Sequence, residues 1–214
     1  MNIASKIDHT VLSPFTTLND VEQVCNDAVE NKFAAVCVPP YFVQNAALAL
    51  KEIDAIKVCT VIGFPFGNNA TSAKVEETKR AINDGANEVD MVVNLNAIIN
   101  EDWKYVKNDI ESITNSAHLG GAIVKVIIES SKLNEYQLKE ICKICEEVNV
   151  DFVKTATGYN GNDVTVDEVS SLRSLLPENI KIKASGGIRS KTNAQQLIEA
   201  GADRIGASQS LNLL

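Results

Sequence analysis

Histidine is scarce in this chain, with only His9 and His118 among 214 residues. No acidic or histidine cluster stands at metal-ligand spacing, so neither a metal-activated water nor a metal enolate is expected. The G-x-S-x-G elbow, the P-loop and G-x-G-x-x-G are all missing, which removes the usual devices of acyl transfer, nucleotide hydrolysis and dinucleotide binding. Basic residues are outnumbered 20 to 28 by acidic ones, a formal charge of −8. Such a balance does not suit a nucleic acid or an anionic membrane as partner. No apolar run approaches the ~20 residues of a membrane helix, and the start MNIASKIDHT does not read as a secretory signal. A cytoplasmic location is expected. Proline is sparse and no Pro/Gly/Ser-rich linker divides the chain, so residues 1–214 are expected to form a single domain.

The five cysteines, Cys25, Cys37, Cys59, Cys142 and Cys145, are an odd number in a chain too long to need disulfide staples, and reduced thiols are expected. Cys142 and Cys145 have the spacing of a metal or redox pair, but no second pair exists. With Leu138, Ile141 and Val148 they follow helical spacing, and core packing is the favoured role.

What the chain has in abundance is alternation. β-branched runs occur at 34–38, 56–62, 88–93, 123–128, 151–154, 180–184 and 204–207, with one more strand at 6–10. Amphipathic stretches lie between them near 20–31, 40–52, 72–84, 98–117, 134–148, 164–176 and 191–200, and a short one follows Ser208. Nearly continuous apolar strands mean burial on both faces, the mark of a parallel sheet with helical crossovers. Eight evenly spaced units favour an α/β (βα)8 TIM barrel over an open doubly wound sheet. Asn31, Gly85, Asn149 and Gly201 end helices with residues that tolerate a left-handed conformation. Five residues beyond the last three stand Asp90, Lys154 and Gly206. Equal offsets bring these positions to one height and one face, at the barrel end where chemistry occurs.

Lysine is costly inside an apolar strand, yet Lys125, Lys154, Lys181 and Lys183 all occupy such places. Desolvation and a neighbouring cation both depress a lysine pKa, so two lysines meeting in a barrel mouth can leave one neutral and able to form a Schiff base. A structural ion pair with Asp90 or Glu129, or a strand-end lysine reaching water, accounts for the same residues, and both readings stay open. Ser185-Gly186-Gly187 and Gly206-Ala207-Ser208 are strand-to-helix turns suited to phosphate. They follow the last two strands, where such barrels often hold phosphate. Arg189 and Arg204, two of only four arginines, lie nearby. With no metal site and no cofactor expected, carbon chemistry falls to covalent catalysis.

Eight blocks spread over the chain complete the picture: IDHT (7–10), VCVPP (36–40), VIGFPFG (61–67), GANEVDMVVN (85–94), VKVIIES (124–130), FVKTATG (152–158), KASGGIRS (183–190) and RIGAS (204–208). On these blocks the chain resembles the deoxyribose-phosphate aldolases, metal-independent class I aldolases. The resemblance implies reversible cleavage of 2-deoxy-D-ribose 5-phosphate to D-glyceraldehyde 3-phosphate and acetaldehyde. It implies Lys154 as the Schiff-base lysine with Asp90 and Lys183 as its proton relay. It further implies phosphate contacts from Gly186, Gly187, Gly206 and Ser208, sugar contacts from Asp8 and Thr155, and a possible homodimer. Ala156 stands where the family usually has serine, and Tyr159 where some members have lysine, so phosphate binding is expected to rest more on backbone amides.

Overall fold

The computed structural model describes residues 3–161 and 163–214. Eight parallel strands form a closed barrel in sequence order: β1 (Ile7–Thr10), β2 (Ala35–Val38), β3 (Lys57–Ile62), β4 (Glu88–Val92), β5 (Ile123–Ile127), β6 (Phe152–Lys154), β7 (Lys181–Ser185) and β8 (Arg204–Ala207). β8 pairs back onto β1, with Asp8 beside Gly206, so among the described residues the barrel leaves no strand edge open to solvent or to another chain.

The helices are α1 (Leu18–Asn31), α2 (Val43–Ala49), α3 (Thr71–Asn83), α4 (Leu95–Ile99), α5 (Trp103–Leu119), α6 (Glu135–Val148), α7 (Val166–Leu175) and α8 (Lys191–Glu199). Local sequence starts them firmly. Capping boxes at Thr17 with Asp20, Asn134 with Gln137 and Thr165 with Glu168 satisfy the free amides of the first turns of α1, α6 and α7.

The strands fall where the apolar runs place them; the helical layer departs from expectation in four places. The stretch 98–117 is interrupted: Glu101 turns left-handed at φ 56°, and the Asp102 side chain caps a new helix by accepting from Tyr105 N. The stretch 40–52 opens with a 3-10 turn at Pro40–Phe42 before α2. The last element, Ser210–Leu213, is a 3-10 turn, so α4 and α5, both after β4, restore the count of eight. Finally, α1 closes through Lys32 at φ 57°, not through Asn31, whose side chain instead donates to Asp27 O. Gly85, Asn149 and Gly201 do take the left-handed conformation.

Two buried regions result. Between sheet and helices lies an apolar annulus that includes Val36, Val89, Ile110, Ile113, Val124, Val153, Leu172 and Ile182. It contains Cys142 and Cys145 on α6, as the helical spacing requires. Inside the barrel, a small apolar cluster of Ala35, Cys37, Cys59 and Val61 lines β2 and β3. The middle of the interior is ionic, with Asp8, Glu88, Asp90, Lys125, Lys154 and Lys183 all buried there.

Candidate active site

The barrel interior is built upward from Phe152 on β6. Lys125, Lys181 and Arg204 carry their cations 5.8, 5.5 and 5.7 Å from its ring centroid, within cation–π range. Above this floor, strand alternation turns Asp8, Glu88, Asp90, Lys125, Lys154, Lys183 and Arg204 toward one another. Arg204 reaches Asp8 at 2.6 Å and Glu88 at 3.3 Å. Lys125 sits 2.6 Å from Glu88 and 2.8 Å from Asp90, with Asp8 at 3.8 Å. Lys183 bridges Asp8 at 2.5 Å and Asp90 at 2.7 Å. Lys154 touches a single carboxyl group, Asp90, at 2.8 Å.

Asp90 is the hub, and its two oxygens face different neighbours. Oδ1 accepts from Lys125 Nζ and from the Cys59 thiol at 3.1 Å, while Oδ2 accepts from Lys154 and Lys183. Burial alone would raise the Asp90 carboxyl, but Lys125, Lys154 and Lys183 together hold it well below the usual carboxylate range. Asp8 is likewise pushed up by burial and pulled down further by Lys183, Lys125 and Arg204, to about 2. Burial works against the Lys183 ammonium, yet Asp8 and Asp90 overcome it and raise this lysine above its ordinary range. Burial drives the Cys59 thiol well up, which keeps its proton available for Asp90.

A cavity of about 610 Å³ opens above the cage. Of the four cations in the cage, Lys154 is the one that lines it, and Gly186, Gly187, Gly206 and Ser208 line it as well. Gly206 has to be glycine: a Cβ there would come 2.9 Å from Lys183 Cε and 3.0 Å from Ser185 Cβ. The sequence therefore brings Lys154, Asp90 and Lys183 together and gathers the two turns at one mouth.

Other expectations are displaced. Asp8 lies deep in the cage, fully buried and held by Lys183 and Arg204, and is not part of the cavity wall. Thr155 is also buried away from it, donating to Ser185 O and accepting from Ser185 N. The threonine on the cavity wall is Thr157, whose N–H and hydroxyl both donate to Glu129 Oε1 at 2.7 and 2.5 Å. Glu129 is thus engaged with a loop, not with a strand lysine. Arg204 belongs to the foot of β8, opposite the mouth, where it also borders a second, largely apolar cavity with Lys57 and Ile123. Arg189 alone of the two arginines reaches the mouth.

Two groups of side chains, Cys37 with Cys59 and Asp90, and Asp8 with Cys59 and Glu88, bring potential ligand atoms within 4.8 Å of one another. The Lys125 ammonium already occupies the point where Asp8, Glu88 and Asp90 converge. An added cation would have to displace it against its own charge.

The sequence profile of the DeoC/LacD family aldolases matches residues 3–212. A deoxyribose-phosphate aldolase of Thermoanaerobacter sp. (strain X514) is 44% identical over 215 residues, covering 100% of this chain and 96% of that protein. One from Thermococcus kodakarensis is 45% identical over 213 residues, covering 99% and 95%. Among solved structures, the tetrameric deoxyribose phosphate aldolase from Aeropyrum pernix superposes with a TM-score of 0.92 at 32% identity, covering 99% of this chain and 88% of that one. An aldolase named QR15 gives the same TM-score at 40% identity, covering 99% and 93%. Fold, profile and full-length identity agree, and the chain belongs to the DeoC/LacD family of aldolases.

Proposed function

We propose that this barrel cleaves 2-deoxy-D-ribose 5-phosphate to D-glyceraldehyde 3-phosphate and acetaldehyde, reversibly, through a Schiff base on Lys154. One observation carries the choice of nucleophile: Lys154 is the cage cation that lines the cavity, and it contacts one carboxyl group where Lys183 contacts two. The cage sets three carboxyl groups against three lysines and one arginine. With every group in its ordinary ionised form the cations exceed the carboxylates by one. Schiff-base formation uses a neutral amine, and Lys154 is the member of this cation-rich set that faces the cavity.

In the cleavage direction the Lys154 amine adds to the C1 aldehyde of the open-chain sugar, and loss of water gives an iminium. A base then takes the proton of the C3 hydroxyl. The C2–C3 bond breaks, its electron pair moves into the iminium, and glyceraldehyde 3-phosphate leaves an enamine behind. Protonation at C2 and hydrolysis release acetaldehyde and restore the amine. Asp90 Oδ2, shared between Lys154 and Lys183, is placed to pass protons to and from Lys154. Lys183, kept cationic by Asp8 and Asp90, supports proton return. The substrate phosphate takes the mouth between the Gly186–Gly187 and Gly206–Ser208 turns, where backbone amides approach closely.

The test is a cleavage assay with 2-deoxyribose 5-phosphate that reads glyceraldehyde 3-phosphate. Wild type produces it, and Lys154→Met does not. Equal turnover by the two would remove Lys154 from the reaction.

A further inference from the structure

The cavity wall offers a dianionic phosphate two cationic side chains among the described residues, and Lys154, at the base, is taken up by the covalent step. Arg189 is left for the phosphate, and it already has a partner. Its Nη1 lies 2.8 Å from Asp163 Oδ2, and also donates to Gly187 O at 3.4 Å. Asp163 is held on this same turn by its surroundings. The next residue, Val164, donates its N–H to Gly186 O at 3.0 Å. The Asp163 carboxyl group packs against the bare face of Gly187, where a Cβ would come within 1.7 Å of Oδ1. Gly187 is therefore needed twice, for a φ of +68° and for the room that Asp163 occupies. The acids on the cavity wall are engaged elsewhere: Asp20 with Thr17, and Asp27 with Gln23 and His9.

We propose that Asp163 is a specificity-determining residue that competes with the substrate's phosphate for Arg189 and so lowers the preference for phosphorylated over neutral 2-deoxyaldoses. The proposal rests on the aldolase reading above, because it needs phosphate at the Gly186–Arg189 turn. The physical reason is a difference in what must be exchanged. A neutral sugar leaves the Arg189–Asp163 pair intact. A phosphorylated one must share the guanidinium with a carboxyl group and bring a dianion close to it. Both side chains of the pair are more than half exposed, at 65% and 61%, so the effect is modest and falls with salt.

The experiment compares wild type, Asp163→Asn, Arg189→Gln and the double variant at low ionic strength. The readouts are kcat/KM for 2-deoxyribose 5-phosphate divided by that for 2-deoxyribose, and the affinity for inorganic phosphate by calorimetry. Asp163→Asn is expected to raise both by about threefold, with the gain shrinking in high salt. Asp163→Ser repeats the test without introducing an amide donor. Arg189→Gln is expected to lower both, and on that background Asp163→Asn gives no gain. A fall or no change in Asp163→Asn, or the same gain with Arg189 absent, overturns the proposal. If neither sugar is cleaved, the aldolase reading fails, while the phosphate titration still decides whether Asp163 opposes anion binding at Arg189.

Discussion

Lys74 and Lys154 are both buried lysines, one in the apolar annulus and one in the barrel interior, and they are served differently. Lys74 Nζ donates to Asp109 at 2.5 Å and to the carbonyls of Gly67 and Val92 at 3.1 Å each, so all three of its protons are placed. Asp109 in turn accepts from Asn94 N and Thr71 Oγ1. Burial pushes the Lys74 ammonium below its ordinary range and Asp109 opposes that pull, but no cavity reaches it among those described. This is a closed bracket that ties α3 to α5 and to the end of β4. Lys154 has a single carboxyl contact, shared with Lys183, and open space on its other side. A satisfied buried lysine holds structure together; an incompletely satisfied one beside a cavity is available for chemistry.

The sharpest way to break this contrast is at the hub. Asp90→Asn should lower turnover by ~10²–10⁴-fold, the usual worth of a positioned acid–base group, measured in the cleavage assay. A loss under about tenfold would mean the relay runs elsewhere. Lys74→Met tests the other side. It strands Asp109 in the annulus at a cost of about 3–5 kcal/mol in chemical denaturation, while turnover per folded molecule stays near wild type. A variant equally stable but slow would reverse the roles assigned to the two lysines.

Acid provides a smaller test of the interior. The Asp8 pKa falls from 3.8 to about 2 on folding, so its contribution is complete above 3.8 and disappears as pH falls through 2. A tenfold change in proton affinity is worth ~1.4 kcal/mol, which makes the loss about 2 kcal/mol, to be read as the difference in acid unfolding between wild type and Asp8→Asn. The smallest effect belongs to His9, whose ring lies 3.2 Å from Asp27 and 2.9 Å from Ser210. Burial lowers this imidazole below 6.5 despite Asp27. As pH drops below 6.5 the unfolded chain takes up a proton first, and stability is lost with falling pH. His9→Gln should flatten that slope in Tm between about pH 7 and 5.

Much of this was legible in the sequence because period-two and period-3.6 patterns follow directly from burial. The eight strands, the convergence of Asp90, Lys154 and Gly206, and the packing role of Cys142 and Cys145 all rest on that. The break between α4 and α5 was harder, since one left-handed residue, Glu101, separates two apolar stretches that read as one helix; the Asn100-Glu101-Asp102 cluster was the available signal. Arg204 could have been placed by counting. It lies two residues before Gly206, so it points inward one layer deeper, away from the mouth. Thr155 and Thr157 flank Ala156 just past the end of β6, where strand alternation no longer governs direction. Which of them reaches the cavity depends on Glu129, which binds Thr157 from the neighbouring loop. Asp163 carried no signal at all, because its importance lies in contacts with Gly187 and Arg189 that only the folded turn creates.

The whole reaction turns on a covalent bond between the Lys154 side chain and the substrate aldehyde, which incubation with 2-deoxyribose 5-phosphate and borohydride, followed by peptide mass analysis, would trap. A reduced adduct confined to the peptide carrying Lys154, with loss of activity in proportion, is the predicted result. Full activity after treatment, or an adduct on Lys183 in place of Lys154, would contradict it.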